Sequence, residues 1–369
     1  MPSWLYVLVV TLSLACYGST SDPTNWSILS ALQLDAAKQA HGSSVSSTRM
    51  HSGPRVLLVG RSIRTQLPGK AFLGQVRCDL SANVYVRTYD GHVVNSAESL
   101  QVPIKKIDRN GQLADWFAIT DANPNLVSGD IFVAPNGDVS QVAWRPGSQS
   151  IFIARYSKGG VFERLIPLDI SLQPYQLAIY DTGEILLSGL EMFPGTRGAS
   201  HAPITVLFDS KGHLLRKLIL PGDDDVYSKA ARHDSDFVDL NYPAQGNLAV
   251  EYGDVALGSD NNAYLIRRTL PTLLYKISRS GHVQRFKVEP GNAGFFPVAI
   301  RAANNRLAIL FSKNGKQNRI IRVLNLTGQT VENYSSPRDL GEGFSCYAAP
   351  DFLFLDSVKG VIYIKWATR

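Results

Sequence analysis

One turn pattern recurs along the chain and constrains the fold more than any other feature. In each copy, an apolar run leads into a small polar turn, and a second run follows in which apolar residues alternate with others. Regular recurrence of this kind is typical of proteins built from repeated supersecondary units. The copies lie at residues 78–86, 133–139, 179–187, 257–265, 300–309 and 347–354.

A second kind of turn, ending in glycine, alternates with the first. Glycine at the last position of a turn adopts the positive φ that other residues resist. One turn of each kind gives two hairpins, and therefore a four-stranded antiparallel sheet, per repeat. Most successive first turns are spaced about 40–50 residues apart, which is typical of a β-propeller blade. The second turns lie at residues 108–111, 157–160, 209–212, 278–281 and 325–328.

The repeats predict an all-β protein, a six-bladed propeller with four-stranded antiparallel blades. The sixth repeat lacks its second turn, whereas the apolar run at 55–60 is left over before the first repeat. We therefore expect an N-terminal strand to join the last blade and close the ring, which leaves no open edge between the first and last blades. The predicted blades span residues 76–121, 129–170, 175–220, 247–290, 296–337 and 345–369.

The run at 78–86 resembles the inner hairpin of an NHL repeat, in which an aspartate such as Asp79 precedes a small turn and an aromatic-aliphatic strand. Over residues 55–369 the chain is similar to six-bladed propellers of the NHL and TolB-like type. The second and fifth repeats depart from that pattern, with Ala134 and Arg301 near the place of the aspartate. The resemblance implies the architecture, and its families include binding modules, scaffold domains and lactone or ester hydrolases.

The N-terminal segment predicts export. An apolar run from Trp4 to Cys16 is too short for a membrane-spanning helix and is typical of a signal peptide, here assigned to residues 1–18. Cys16 is also a candidate for lipidation, since Ser13-Leu-Ala-Cys16 resembles a lipoprotein box. The alternatives are a secreted or periplasmic protein and a lipoprotein, both extracytoplasmic. Residues 19–54 are expected to form an N-terminal segment and flexible linker, followed by the propeller at 55–369.

The charge distribution argues against a nucleic-acid partner. The net charge is +6 and the pI about 9.1, but lysines and arginines are scattered rather than clustered. With 44% hydrophobic and 18% charged residues, the chain has an ordinary composition for a large buried core. We expect a monomer whose partner is a protein or a small molecule of unknown identity, and which contacts a membrane only through a lipid on Cys16.

Candidate ligand-binding residues lie in two long segments attached to the third repeat. Both kinds of short turn should lie on one face of a propeller, here called the short-turn face, while longer connections lie on the opposite, long-loop face. Binding residues are commonly carried by long loops on a rigid scaffold. The first segment, 189–203, could instead form extra strand length, which would weaken the case for a binding loop there. The candidates in the two segments are Arg197, His201, Asp223, Asp224, Asp225, Arg232, His233, Asp234 and Asp236.

Catalytic motifs give little support for an enzyme. The sequence contains neither a Gly-x-Ser-x-Gly elbow nor a His-Glu-x-x-His zinc motif. No cofactor is implied, although the run Asp223–Asp225 contains oxygen ligands of the kind that Ca²⁺ prefers. We therefore favour a binding or interaction module over the alternative, a lactonase-like or esterase-like propeller hydrolase that acts at the channel mouth with or without calcium.

Two cysteines occupy matching positions at the predicted ring closure. Cys78 precedes the first turn of the first repeat, and Cys346 precedes that of the sixth. In an oxidising compartment a disulfide there would lock the ring. The alternative is that both are small core residues, because Val133, Ile179 and Leu257 occupy the matching position in other repeats.

Overall fold

The computed structural model describes residues 54–68, 71–89, 101–146, 148, 150–195, 198–222, 250–269, 271–291, 294–313, 316–336, 340–341 and 343–368. All of them except Pro54 belong to the compact unit that spans Arg55–Arg369. The predicted signal peptide, with Cys16, and almost all of the 19–54 segment lie outside the described residues.

Strands dominate the described residues, and a short helix, α1 (Ile119–Ala122), joins the first two blades. In chain order the strands are β1 (Arg55–Val56), β2 (Leu58–Pro68), β3 (Ala71–Cys78), β4 (Val84–Tyr89), β5 (Ile104–Ile107), β6 (Leu113–Phe117), β7 (Val127–Val133), β8 (Val139–Trp144), β9 (Ile151–Tyr156), β10 (Phe162–Leu168), β11 (Leu172–Ile179), β12 (Ile185–Gly195), β13 (Gly198–Phe208), β14 (Leu214–Leu218), β15 (Asp254–Leu257), β16 (Ala263–Arg267), β17 (Thr272–Ile277), β18 (Val283–Val288), β19 (Phe295–Ala303), β20 (Arg306–Lys313), β21 (Lys316–Asn325), β22 (Thr330–Ser336), β23 (Gly343–Ala348), β24 (Asp351–Val358) and β25 (Val361–Thr368).

These strands form six antiparallel sheets, which confirms the predicted six-bladed propeller. Blades 1 to 4 contain β3–β6, β7–β10, β11–β14 and β15–β18, and blade 5 contains β19–β22. Blade 6 has the order β2-β25-β24-β23, so the N-terminal strand supplies its outer strand as expected. The closing strand is β2; the two residues of β1 instead add in parallel to β22, at the outer edge of blade 5.

The core consists of six apolar layers, each lying between two neighbouring blades. The layer between blades 6 and 1, for example, joins Val76 and Val84 to Leu353 and Ile364. The other five layers follow the same rule around the ring. Each blade is therefore stabilised mainly by its two neighbours, because a sheet has apolar residues on both faces and must bury both.

The second turns fasten each blade to the preceding one. Gly160, at the end of the blade 2 turn, has φ +79°, and a Cβ there would lie 2.4 Å from the carbonyl oxygen of Trp116 on blade 1. Gly212, with φ +92°, would place a Cβ 2.1 Å from the carbonyl oxygen of Pro167 on blade 2. Glycine is therefore required both by the turn and by the close approach of the neighbouring backbone. Blade 6 is interrupted at this turn, and β1 covers the outer edge of blade 5.

Candidate functional site

The six inner strands contribute one polar residue each to a belt around the central axis. Burial of polar groups is costly unless they are hydrogen-bonded, so such a belt needs specific partners. Arg77 is 7% exposed, Gln176 3%, Arg301 6%, and Asp254 and Ser345 are fully buried. The belt consists of Arg77 (β3), Asp130 (β7), Gln176 (β11), Asp254 (β15), Arg301 (β19) and Ser345 (β23).

Arg77 crosses the centre of the ring. Its Nη1 donates to Oδ1 of Asp254 at 2.7 Å, and its Nη2 donates to both carboxylate oxygens of Asp130 at 3.3 Å. The Nε of Arg77 donates to the carbonyl oxygen of Ile131 at 3.1 Å. Since blades 1 and 4 are opposite each other in a ring of six, the bond between Arg77 and Asp254 joins opposite sides of the molecule.

Asp254 receives a second guanidinium. Its Oδ2 accepts from Nη1 of Arg301 at 2.6 Å and from the backbone amide of Ile300 at 3.0 Å, and its Oδ1 also accepts from the amide of Val255 at 2.9 Å. Every oxygen of this buried carboxylate is therefore paired with a charged group and a backbone donor. This is the arrangement in which a buried ion pair offsets its desolvation cost.

Arg301 also joins the two blades at which the ring closes. Its Nη2 donates to the carbonyl oxygens of Val76 on β3, at 2.6 Å, and Phe344 on β23, at 2.8 Å. Its Nε donates to the carbonyl oxygen of Ser345 at 2.9 Å. One side chain from blade 5 thus binds the inner strands of both blade 6 and blade 1.

The belt holds its two carboxylates in different electrostatic environments. Burial alone would raise the pKa of Asp254, but the charges of Arg77 and Arg301 overcome this effect and hold the pKa below its usual value. Burial raises the pKa of Asp130, and the attraction of Arg77 does not offset it. Burial likewise lowers the pKa of the Arg301 guanidinium to about 10. Asp254 is therefore the firmly ionised centre of the belt.

The side-chain amide of Gln176 is hydrogen-bonded through its nitrogen but not, among the described residues, through its oxygen. Its Nε2 donates to the carbonyl oxygens of Val250, at 2.6 Å, and Gly253, at 3.4 Å, which lie just before β15. Its buried Oε1 has no hydrogen-bond partner among the described residues. The amide therefore fastens blade 3 to the start of blade 4.

The belt is better suited to holding blades together than to chemistry. Its guanidinium groups already donate to carboxylates and carbonyls, so they are not available to polarise a substrate. Its side chains are shielded from water and meet across the axis. The belt therefore leaves the faces and the rim of the propeller as the surfaces open to a ligand.

More arginines lie toward the long-loop face, near the ends of the second strands. Arg87 Nη1 donates to Ser128 Oγ on the neighbouring blade at 2.7 Å, and buried Arg267 donates to Ser188 Oγ at 3.1 Å. The guanidinium of Arg268 lies over the rings of Tyr252 and Phe296, 4.9 and 5.0 Å from their centroids. Arg87 and Arg267 therefore add contacts between neighbouring blades at this end of the centre.

The first candidate segment forms extra strand length. In blade 3, β12 and β13 remain paired beyond the start of β11, from Met192 opposite His201 to Gly195 opposite Gly198. We call this two-stranded extension the blade 3 ribbon. It is formed by residues 192–195 and 198–201.

Of the candidate ligand-binding residues, only His201 lies in a described strand, where its backbone pairs within the ribbon. The others lie outside the described residues, so the structure does not test whether they converge: Arg197, Asp223, Asp224, Asp225, Arg232, His233, Asp234 and Asp236.

Within the described ranges, no group of three or more histidine, cysteine, aspartate or glutamate side chains could hold a metal ion. The acidic run Asp223–Asp225 lies outside these ranges. The described helical segments also include none that is long and apolar enough to cross a membrane.

Cys78 and Cys346 form a disulfide, and their Cα atoms are 5.6 Å apart. Cys78 ends β3 of blade 1, and Cys346 lies in β23 of blade 6. The separation lies within the range that a disulfide requires. The bond therefore joins the first and last blades, beside the strands that Arg301 also binds.

Comparison with known proteins shows the fold alone. No protein family and no curated protein matches the sequence. A protein of unknown function from Dyadobacter fermentans has a crystal structure that superposes with a TM-score of 0.50 at 11% identity, covering 85% of this chain and 99% of that chain. A protein of unknown function from Bacteroides caccae gives a TM-score of 0.47 at 11% identity, covering 77% and 94%. The resemblance to NHL and TolB-like propellers is thus shown only as far as the six-bladed β-propeller.

Sequence analysis did not identify the polar belt. Arg301 was noticed only as a departure from the NHL pattern, and Arg77, Asp130 and Asp254 were passed over. A signal was present, because each charged residue lies within or directly before a run that is expected to form a buried inner strand. Charged residues are seldom buried unless they are paired, so such interruptions can mark a central cluster.

Proposed function

We propose that this protein is an exported binding module whose ligand contacts the long-loop face beside blade 3. The observation that carries the proposal is the blade 3 ribbon, which extends past the inner strand of its own blade. An element that protrudes from a rigid scaffold is a common place for recognition.

The polar belt supports a binding role over a catalytic one. The belt fixes inner strands of several blades to each other through buried charges, which makes the scaffold beneath the ribbon rigid. A pre-organised surface loses less conformational entropy when it binds a partner.

Export is supported by the disulfide between Cys78 and Cys346. Disulfides persist in oxidising compartments and are rare in the cytosol. We propose a periplasmic or secreted location, with a lipid on Cys16 as the form that would hold the protein at a membrane.

Replacing residues 192–201 by Asn-Gly tests the function. This change reconnects Glu191 to Ala202, which are paired in the hairpin, by a turn suited to two antiparallel strands. Immobilised wild-type and shortened proteins are exposed to extract and medium of the source cells, and the retained molecules are identified by mass spectrometry. We expect the wild type to retain a specific molecule that the shortened protein does not.

The matched control is Lys158→Glu, which changes an exposed charge on the short-turn face and should leave retention unchanged. Equal retention by the wild type and the shortened protein would overturn the assignment to the ribbon. Hydrolysis of p-nitrophenyl acetate or dihydrocoumarin that is stimulated by Ca²⁺ would instead support the hydrolase alternative.

A further inference from the structure

The outer edge of blade 3 carries more exposed large apolar side chains than any other outer edge among the described residues. Among the described residues, β14 is the last strand of its sheet, so the backbone groups on its outer side have no strand partner there. Three large apolar side chains are exposed along this edge: Leu214 (40%), Leu215 (53%) and Ile219 (39%). An exposed apolar edge readily accepts another strand, and proteins commonly protect such edges.

Blade 2 shows how an equivalent edge is protected. Both outer strands contain a bulge after the second turn, at Glu163 in β10 and at Leu215 in β14. Four residues after each bulge, blade 2 has Pro167, whereas blade 3 has Ile219. The charge of Glu163 opposes strand addition, and so does Pro167, because proline lacks an amide hydrogen. Blade 3 has apolar residues, Leu215 and Ile219, at these two positions.

The propeller itself adds a strand at this position in blade 5. There, β1 pairs in parallel with β22, with Arg55 opposite Tyr334 and Val56 opposite Ser335. The amide of Leu57 also donates to the carbonyl oxygen of Ser335 at 3.0 Å. Tyr334 and Ser335 follow the bulge at Val331 by the same number of residues as Leu218 and Ile219 follow Leu215. The outer edge of a blade can therefore hold an extended chain at this place.

The charge beside β14 indicates which chain would fit. A groove of about 500 Å³ lies between β14 and the second turn of blade 4, and its described lining includes Arg216, Lys217 and His282 but no acidic residue. Lys217 is paired with Glu191, 2.6 Å away, whereas Arg216 has no carboxylate partner among the described residues. An extended segment that alternates acidic and apolar residues would complement both the exposed leucines and Arg216.

We propose that the outer edge of β14 is a docking site for an extended acidic peptide segment of a partner protein, which adds to blade 3 as a parallel strand. This site lies on the rim of the propeller, and the proposal goes beyond the ligand assigned to the long-loop face. The partner's backbone would pair with residues 215–219, its apolar side chains would cover Leu215 and Ile219, and its carboxylates would meet Arg216.

The probe is a fluorescein-labelled, capped peptide of alternating glutamate and valine, seven residues long. Its binding is measured by fluorescence anisotropy with the full-length protein. We expect saturable binding that Arg216→Glu weakens by about tenfold or more, because an attraction becomes a repulsion. Ile219→Pro should weaken binding at least as much, and Pro167 shows that a blade accommodates proline at this position. Circular dichroism of both variants checks that the fold is kept.

The matched control is Arg164→Glu on β10, one residue after its bulge as Arg216 is on β14, which should leave the affinity unchanged. Shortening the blade 3 ribbon should also leave peptide affinity unchanged, so the two proposals can fail separately. A wild-type Kd weaker than about 1 mM would overturn the docking site. So would equal weakening by Arg164→Glu and Arg216→Glu.

Two further peptides test the chemistry of the partner. A lysine-valine peptide that binds as well as the acidic peptide would overturn the charge assignment. A peptide N-methylated at alternate residues should bind at least about tenfold more weakly, and its undiminished binding would overturn strand addition. Sedimentation of the protein alone tests self-association: a dimer that Ile219→Pro dissociates would assign this edge to a second copy of the chain and overturn the peptide proposal.

Discussion

Arg77 and Asp254 lie on opposite blades and meet at the centre of the ring, where Nη1 of the arginine donates to Oδ1 of the aspartate at 2.7 Å. Asp254 also binds Arg301, so one carboxylate pairs with two buried guanidinium groups that come from different blades. The contacts around the axis are therefore mutually dependent, and the loss of Asp254 affects blades 1, 4 and 5 together.

Asp254→Asn should lower the free energy of unfolding by about 3–5 kcal/mol, because it leaves two buried cations without their shared anion. Urea unfolding followed by tryptophan fluorescence measures the change. Asp115→Asn is the control, since Asp115 forms a more exposed pair with Lys106 and its loss should cost about 1 kcal/mol or less. Equal losses for the two variants would contradict a central role for Asp254.

Asp130 should make the folded protein less stable as the pH rises. Because its pKa is raised in the folded state, the folded protein retains a proton that the unfolded chain releases. The stabilisation that Asp130 contributes decreases as the pH rises from about 4, the pKa of aspartate in the unfolded chain, to the higher pKa of the folded state. Asp254, whose pKa is lowered, contributes with the opposite sign and loses its contribution only below about pH 4.

The comparison of wild type and Asp130→Asn isolates the first effect. The free energy of unfolding of the variant minus that of the wild type should be larger at pH 7 than at pH 4. Urea unfolding of both proteins across that interval measures this difference. Parallel stability curves for the two proteins would show that Asp130 has an ordinary pKa in the folded state.

Gly160→Ala should destabilise the protein by about 1–3 kcal/mol, because alanine resists a positive φ and its Cβ would press against the backbone of Trp116. Gly159→Ala, one residue earlier, is a close control because a Cβ there meets nothing within 4 Å. Thermal unfolding of both variants distinguishes the loss of the close contact between blades 1 and 2 from a general effect of replacing glycine by alanine. The prediction is wrong if the two substitutions cost the same.

Removing the disulfide by the double change Cys78→Ala and Cys346→Ala should cost about 2–5 kcal/mol. Arg301 still binds the two strands that the disulfide joins, so the variant should fold and keep its far-ultraviolet circular dichroism. Dithiothreitol should destabilise the wild type to a similar extent and leave the variant unchanged. A reductant effect of equal size on both proteins would point to another cause.

The sequence predicts the scaffold better than the site. Turns and alternating strands are local, so their glycines and asparagines fix the number of blades, and the incomplete sixth repeat predicts the closing strand. The belt cannot be predicted from local turns and strands, because the contact between Arg77 and Asp254 depends on the distance between opposite blades across the axis. The position of Arg55 and Val56 on blade 5 was also missed, since two residues carry too little pattern to indicate their partner.

The disulfide has a consequence for what happens when the chain is cut. Cys78 and Cys346 are 268 residues apart in sequence, and the covalent loop that they close passes through every blade. A protease that cleaves one exposed connection within this loop leaves both pieces attached through the disulfide. A nicked molecule would therefore migrate as one species until it is reduced, and it could keep its blades together where digestive enzymes are present.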